Sequence, residues 1–250
     1  DTWSSNQLPG CANDAKAMKA MLNTMKTTKY RPFDVKLRQN LTSSQILSEI
    51  KSLFGRAKSN DISVFYYSGH GTSSGWMCGI NSEYNYDYVT VDQLRTALDA
   101  IPGKKLVIMD CCYSGAYINK DLGNGVTLVS DKASADAFNN SVIKAFSDGA
   151  ASKANLATSN YYVLTACSKY QTSAELISSG TRFGAFTYSL LWASGYNERS
   201  NTLLSTLEGD TNGDRKLTLK ELVDTLERVV LEFVGSDDRY GTGALAELYR

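Results

Sequence analysis

The sequence predicts an α/β domain with a mainly parallel central sheet flanked by helices. Three observations carry that reading. Leu106-Val107-Ile108-Met109 runs apolar without alternation, and Ile62-Ser63-Val64-Phe65-Tyr66-Tyr67 has the same design. Runs of this kind suit strands buried on both faces of a parallel sheet. Strand-like runs also alternate with amphipathic helical stripes, which implies parallel pairing through right-handed crossovers. Finally, Thr42-x-x-Gln45 and Thr90-x-x-Gln93 are capping boxes that mark two helix starts.

Taken in order, residues 1–12 read as loop. Asn13 or Asp14 is the expected cap of a first helix, in which Ala15, Met18, Met21, Leu22 and Met25 recur at helical spacing. Phe33-Asp34-Val35-Lys36-Leu37 alternates like a half-buried strand. Behind Thr42, the residues Ile46, Leu47, Ile50, Leu53 and Phe54 form an apolar stripe. The strand 62–67 follows, then a loop over 72–88 rich in Gly, Ser, Asn and Tyr. Behind Thr90, Leu94, Leu98 and Ile101 supply another stripe; Pro102-Gly103 ends that helix and a strand spans 105–110. Over 130–160 Ser, Ala, Asn and Asp dominate, which reads as a mobile linker with one helical turn near Val142–Phe146. Beyond it, Tyr161–Cys167 reads as a strand and Phe183–Ala193 as a helix. Asp210–Glu221 is a polar loop leading into a helix over 218–233, and Ala244–Tyr249 is read as a last strand. The whole of 1–250 is expected to be one domain.

Composition narrows the function. Lys+Arg and Asp+Glu are 26 each, so the net charge is zero, and nothing suggests a nucleic-acid partner. No apolar run approaches the roughly 20 residues that cross a bilayer. The expected chain is soluble, cytoplasmic or secreted, with no membrane partner. The five cysteines are odd in number and none lies in a CxxC spacing, which disfavours a disulfide framework or a structural zinc site.

What does stand out is reactive chemistry at two strand ends. Ser68-Gly69-His70-Gly71 follows one buried strand, and Asp110-Cys111-Cys112-Tyr113-Ser114-Gly115 follows the other; His70 is the only histidine. In open α/β sheets ligands bind beyond the carboxyl ends of the strands. If the two strands are neighbours, an imidazole and a thiol meet there, and a neighbouring imidazole is the usual means of making a thiolate near pH 7. Glycines around them leave backbone N–H groups available to an oxyanion. Adjacent thiols leave the nucleophile open on these residues alone; alternation along a strand sends Cys111 and Cys112 to opposite faces.

Tyr67-Ser68-Gly69-His70-Gly71 and Asp110-Cys111-Cys112-Tyr113-Ser114-Gly115 resemble the histidine and cysteine motifs of the caspase-like cysteine peptidases, especially the bacterial, type I-like metacaspases. Leu8-Pro9-Gly10-Cys11-Ala12-Asn13-Asp14-Ala15 is similar to that family's early Gly-Cys-x-Asn-Asp segment, and Cys167–Ala174 to its small-subunit segment. The resemblance implies a three-layer caspase-like sandwich, with 1–129 as the large-subunit-like part and 161–250 as the small-subunit-like part. It implies Cys112 as nucleophile, His70 as general base, and the N–H groups of Gly71 and Cys112 as oxyanion donors. It implies a primary specificity pocket at Cys11, Asp14, Ser68 and Asp110, whose two carboxylates suit a Lys or Arg side chain. The arginines with which caspases proper bind aspartate have no counterpart here. The expected partners are therefore peptides or proteins with Lys or Arg before the scissile bond, and Lys132, Lys144 and Lys153 offer self-processing sites in the linker.

The chain departs from that pattern in places. Tyr113 stands where metacaspases usually carry His, Cys111 where they carry a small residue such as Ser, and Val91-Asp92 where some carry two acids of a calcium site. The family's first strand belongs just before residue 1, cut away or supplied by a segment outside this sequence. These departures motivate an alternative, a catalytically idle caspase fold used for binding or scaffolding. The chemistry itself needs no cofactor. Asp210, Asn212, Asp214, Thr218 and Glu221 resemble positions 1, 3, 5, 9 and 12 of an EF-hand loop, with Arg215 in place of the usual Gly. That loop either binds Ca2+ or starts a helix through the Thr218-x-x-Glu221 capping box.

Overall fold

The computed structural model describes residues 8–25, 33–72, 76–82, 87–113, 120–121, 127–128, 161–166, 175–218, 220–222 and 224–226. Helix α1 (Pro9–Thr24) begins at Pro9 rather than at Asn13 or Asp14, and Leu8 precedes it without a side-chain cap. Proline in the first turn explains this: its φ is preset for the helix and its missing N–H is one the helix does not need there. Asn13 and Asp14 thus lie inside α1, and their side chains serve other elements.

Residues 33–39 form no strand, though the expected alternation of burial is present: Phe33, Val35 and Leu37 are half-buried while Asp34, Lys36 and Arg38 are exposed. They join no ladder among the described residues. Alternation fixes which side of a segment faces inward; it does not supply a strand edge to pair with. Helix α2 (Ser43–Phe54) starts at the Thr42 capping box: Gln45 N–H donates to Thr42 Oγ1 at 3.3 Å and Thr42 N–H to Gln45 Oε1 at 2.9 Å.

Strand β1 (Ile62–Gly71) runs on through His70 and Gly71 instead of ending at Tyr67. The segment expected to be loop contains β2 (Met77–Cys78) and the start of β3 (Tyr88–Val89). Helix α3 (Val91–Asp99) repeats the capping box at Thr90, with bonds of 3.2 and 2.9 Å. Gly103, at φ +79°, makes the turn into β4 (Lys104–Tyr113). The short pair β5 (Lys120–Asp121) and β6 (Thr127–Leu128) and then β7 (Tyr161–Thr165) follow. A hairpin that the sequence did not disclose comes next, β8 (Glu175–Ser178) and β9 (Thr181–Gly184). Its turn residues Ser179 and Gly180 have φ of 49° and 81°, the left-handed pair that a two-residue hairpin turn demands. Phe183 and Gly184 belong to β9, so helix α4 is Ala185–Ala193. The small hairpin β10 (Tyr196–Asn197) and β11 (Thr202–Leu203) and a helical stretch at 220–222 and 224–226 complete the described part. The linker 130–160 with its helical turn, the strand end at Cys167 and the strand 244–249 lie outside the described residues.

The central sheet has the order β3-β2-β1-β4-β7. β1, β4 and β7 are parallel, and β2 and β3 are antiparallel additions at one side. Met18, Met21, Ile108, Leu164, Phe186 and Leu190 pack on the face covered by α1 and α4. Ile46, Ile50, Leu94, Leu98, Val107 and Met109 pack on the face covered by α2 and α3. Burying each such side chain contributes about 1.5–3 kcal/mol, and burial on both faces explains the unbroken apolar runs. The result is a three-layer caspase-like fold. Among the described residues, the side of β1 away from β4 pairs only at Gly71. A cavity of about 970 Å3 runs along that edge between α1 and α2, bordered by residues 33–41.

Candidate active site

The ladder between β1 and β4 fixes the site. Its register runs without interruption from Ile62↔Lys104 to Gly71↔Tyr113, and it sets Ser68 opposite Asp110, Gly69 opposite Cys111 and His70 opposite Cys112. Neighbouring strands lie about 4.8 Å apart, and parallel register partners share a face. Positions 70 and 112, remote in sequence, are therefore direct neighbours at the carboxyl end of the sheet. Gly71, beside them, pairs with Tyr113 and with Met77.

Alternation divides the labour along Tyr67-Ser68-Gly69-His70-Gly71. Tyr67 and Gly69 belong to the α2/α3 side. The single proton of Tyr67 Oη is shared between the carbonyls of His70 at 2.8 Å and Cys78 at 2.9 Å, which ties the end of β1 to β2. Gly69 makes room for this ring, since a Cβ there would come within 2.5 Å of Tyr67 Oη. Ser68 and His70 belong to the other side, where His70 is 4% exposed.

The described cysteines, Cys11, Cys78 and Cys111, occupy separate settings. Cys111 is buried with Val107 and Met109 in the core beneath α2 and α3. The side chain of Cys112 lies outside the described residues; its backbone stands opposite His70 in the ladder. Burial pushes the Cys78 thiol up to about 11, far from a thiolate at neutral pH. Cys11 is buried in the first part of α1 and borders the same cavity as Ser68 and His70.

Asp14 and Asp110 meet behind the rim. Asp14 lies on the buried stripe of α1 with Cys11, Met18 and Met21, an acid where periodicity calls for an apolar residue. Both carboxylates are 1% exposed. Ser68 Oγ donates to Asp14 Oδ2 at 2.8 Å and Gly184 N–H to Asp14 Oδ1 at 2.9 Å. Thr187 donates twice to Asp110 Oδ2, from its N–H at 3.1 Å and from Oγ1 at 2.5 Å. A Cβ at Gly184 would run into Asp110 Oδ2 and lie 3.1 Å from Asp14 Oδ2, so both acids rest against that glycine. Burial and the neighbouring Asp110 push Asp14 well above the usual carboxylate range, and the bonds from Ser68 and Gly184 pull it partly back. Two buried carboxylates side by side have the chemistry to pair with a cation.

Four neighbours had no signal in the sequence. Gly184 and Thr187 come from the β9–α4 junction, a hairpin that only the fold reveals. Tyr66 Oη lies 2.6 Å from Thr187 Oγ1, and burial with Asp14 and Asp110 pushes its phenol up. Glu175 on β8 is raised by burial and pulled back by Arg182, 3.5 Å away, with a smaller contribution from His70. It brings a third carboxylate toward the pocket, since it also adds to the upward push on Asp14.

The described side chains of the loop at 210–221 bond within the loop itself. Asp210 Oδ1 accepts the N–H groups of Gly213 and Asp214, and Asp210 Oδ2 that of Arg215 at 2.7 Å. Asn212 Oδ1 accepts Asp214 N–H, and Asp214 Oδ1 accepts Lys216 N–H. Glu221 Oε2 accepts Thr218 N–H at 3.0 Å and Thr218 Oγ1 at 2.7 Å, the reciprocal capping pair. The loop oxygens thus serve their own backbone. Among the described residues, no group of three or more His, Cys, Asp or Glu is placed to hold a metal ion. Among them too, no helix is long and apolar enough to cross a membrane.

Comparison with known proteins bears on the family and the fold. The family described as Caspase domain matches residues 3–230. Metacaspase-6 of Arabidopsis thaliana is 28% identical over an alignment of 132 residues that covers 46% of this chain. The chain spans about a third of that relative's length, 35%. The crystal structure of protein GSU0716 from Geobacter sulfurreducens superposes with a TM-score of 0.53 over 89% of this chain and 80% of that one. At 20% identity it speaks for the fold alone.

Proposed function

We propose that this chain, which belongs to the caspase-domain family of cysteine peptidases, hydrolyses peptide bonds after Lys or Arg, with Cys112 as nucleophile and His70 as its general base. The observation that carries the reading is the buried Asp14–Asp110 pair directly behind the strand ends where positions 70 and 112 are in register. The basic side chain of the substrate enters the acid pair, which sets the scissile carbonyl over the rim. His70 takes the proton of the Cys112 thiol. The sulfur attacks the carbonyl carbon, and the N–H groups of Gly71 and Cys112 hold the resulting oxyanion. His70 then gives its proton to the leaving amine, which departs and leaves an acyl-enzyme. Water, deprotonated by His70, hydrolyses the thioester and frees the thiol. Cleavage within the 130–160 linker follows from the same preference.

The test is a fluorogenic peptide panel varied at the residue before the scissile bond, run with the parent, Cys112→Ala and Cys111→Ala. The reading expects turnover of Arg and Lys reporters, lost in Cys112→Ala and kept in Cys111→Ala. Full activity in Cys112→Ala would reject it. No turnover by the parent on any reporter would favour a catalytically idle binding module.

A further inference from the structure

We propose that Thr187, in the first turn of α4, is a positioning residue that holds Asp110 for the substrate's cationic side chain, and that Tyr66 supports it from β1. The proposal rests on the basic-residue specificity argued above and names what sustains it.

Thr187 is fully buried in a helix whose other inward residues are mostly apolar, among them Phe186, Leu190 and Leu191. A buried hydroxyl is unfavourable unless it is bonded. The ordinary solution inside a helix is a bond back to the preceding turn, and Ser189 takes it, donating to Ala185 O at 2.7 Å. Thr187 instead sends its proton across to another element, to Asp110 Oδ2 on β4. Since that proton is committed to the carboxylate, the bond between Tyr66 Oη and Thr187 Oγ1 must have Tyr66 as donor. The chain Tyr66–Thr187–Asp110 is thus directional, with each donor polarising the next.

The backbone acts in the same sense. Gly184 N–H serves Asp14 and Thr187 N–H serves Asp110, so both acids draw on the amino end of one nine-residue helix, where the peptide dipoles favour negative charge. Two buried carboxylates side by side otherwise tend to share a proton. A shared proton would leave one of them neutral when the cation arrives. Among the described residues, Glu175 and Tyr66 are titratable groups that interact with this pair, Cys11 acts on Tyr66, and His70 acts on Glu175.

The experiment compares Arg and citrulline reporters, which differ in charge but hardly in shape. Their kcat/KM ratio isolates the pocket from the dyad, because any change in His70 or Cys112 affects both substrates alike. Thr187→Val should lower the Arg-to-citrulline ratio about tenfold or more, the scale of a lost hydrogen bond to a charged group. It should also move the acid limb of the Arg profile to higher pH. Thr187→Ser should restore both to near the parent. Tyr66→Phe, which keeps the ring, should shift both in the same direction by less, and it stands in if Thr187→Val does not fold. A parent that prefers Arg, with ratio and acid limb unchanged in Thr187→Val and Tyr66→Phe, would overturn the role of Thr187 alone. A parent with no preference for Arg over citrulline would overturn the specificity reading and this proposal with it.

Discussion

Replacing Asp14 by Asn probes the acid pair through selectivity and stability together. Asn keeps an oxygen for Gly184 N–H and turns an NH2 toward Ser68 Oγ, which can then accept, so both bonds of the parent survive in kind. What is lost is one charge. A hydrogen bond between charged groups is worth about 1.5–3 kcal/mol, so kcat/KM for Arg and Lys reporters should fall by roughly ten- to 150-fold. Stability should move the other way. Burial and Asp110 raise the Asp14 carboxyl, so the folded state binds that proton more tightly than the unfolded chain. Its favourable contribution is complete below the ordinary carboxylate range near 4 and is lost as pH rises through the raised value. Asn does not titrate. Relative to the parent, Asp14→Asn should therefore gain stability as pH rises from about 4 toward 8, and the gain should vanish at the acid end. Melting temperatures across that range, together with the reporter kinetics, measure both. A variant that keeps the full preference for basic residues, or whose stability difference from the parent is flat with pH, would refute the reasoning.

Three further outcomes follow from other parts of the structure. Gly69→Ala should displace the Tyr67 ring and release the His70 carbonyl, costing about 1–3 kcal/mol of stability and more activity than Tyr67→Phe, which removes only the hydroxyl; equal activity in Gly69→Ala and the parent would contradict this. Glu221→Ala removes the capping pair with Thr218 and should lower the melting temperature equally with and without calcium; a calcium-dependent rise in melting temperature that disappears in the variant would assign the loop to the cation instead. Incubated in parallel, the active protein should be nicked at Lys132, Lys144 or Lys153 and Cys112→Ala should stay intact; equal fragmentation of both would trace the cuts to another protease.

The central layer was legible because burial on both faces leaves a plain mark. The apolar runs at 62–67 and 105–110 became the parallel core of the sheet, and the boxes at Thr42 and Thr90 start helices as their side-chain chemistry requires. The strand ends extend beyond what the sequence pattern marks. Glycine and polar residues after Tyr67 look like loop, yet the ladder with β4 carries the chain on through Gly71. Asn13 and Asp14 have capping chemistry but lie inside the helix, because Pro9 starts α1 without a side-chain cap. Asp14 itself left a readable trace, an acid on an apolar helical stripe. Thr187 and Gly184 left none. A buried threonine in Ala-Phe-Thr-Tyr-Ser-Leu-Leu-Trp-Ala and a glycine before it acquire meaning only when the β8–β9 hairpin brings them to the acids.

The most direct measurement concerns the thiol. A thiol-alkylating peptide ketone ending in Arg, added in stoichiometric amount and followed by peptide mass mapping, identifies the cysteine that reacts from the basic pocket. The account predicts one equivalent on Cys112, prevented by His70→Ala and slowed by Asp14→Asn, with Cys111 unmodified. Label on Cys111, or on Cys112 at the same rate in all three proteins, would contradict it.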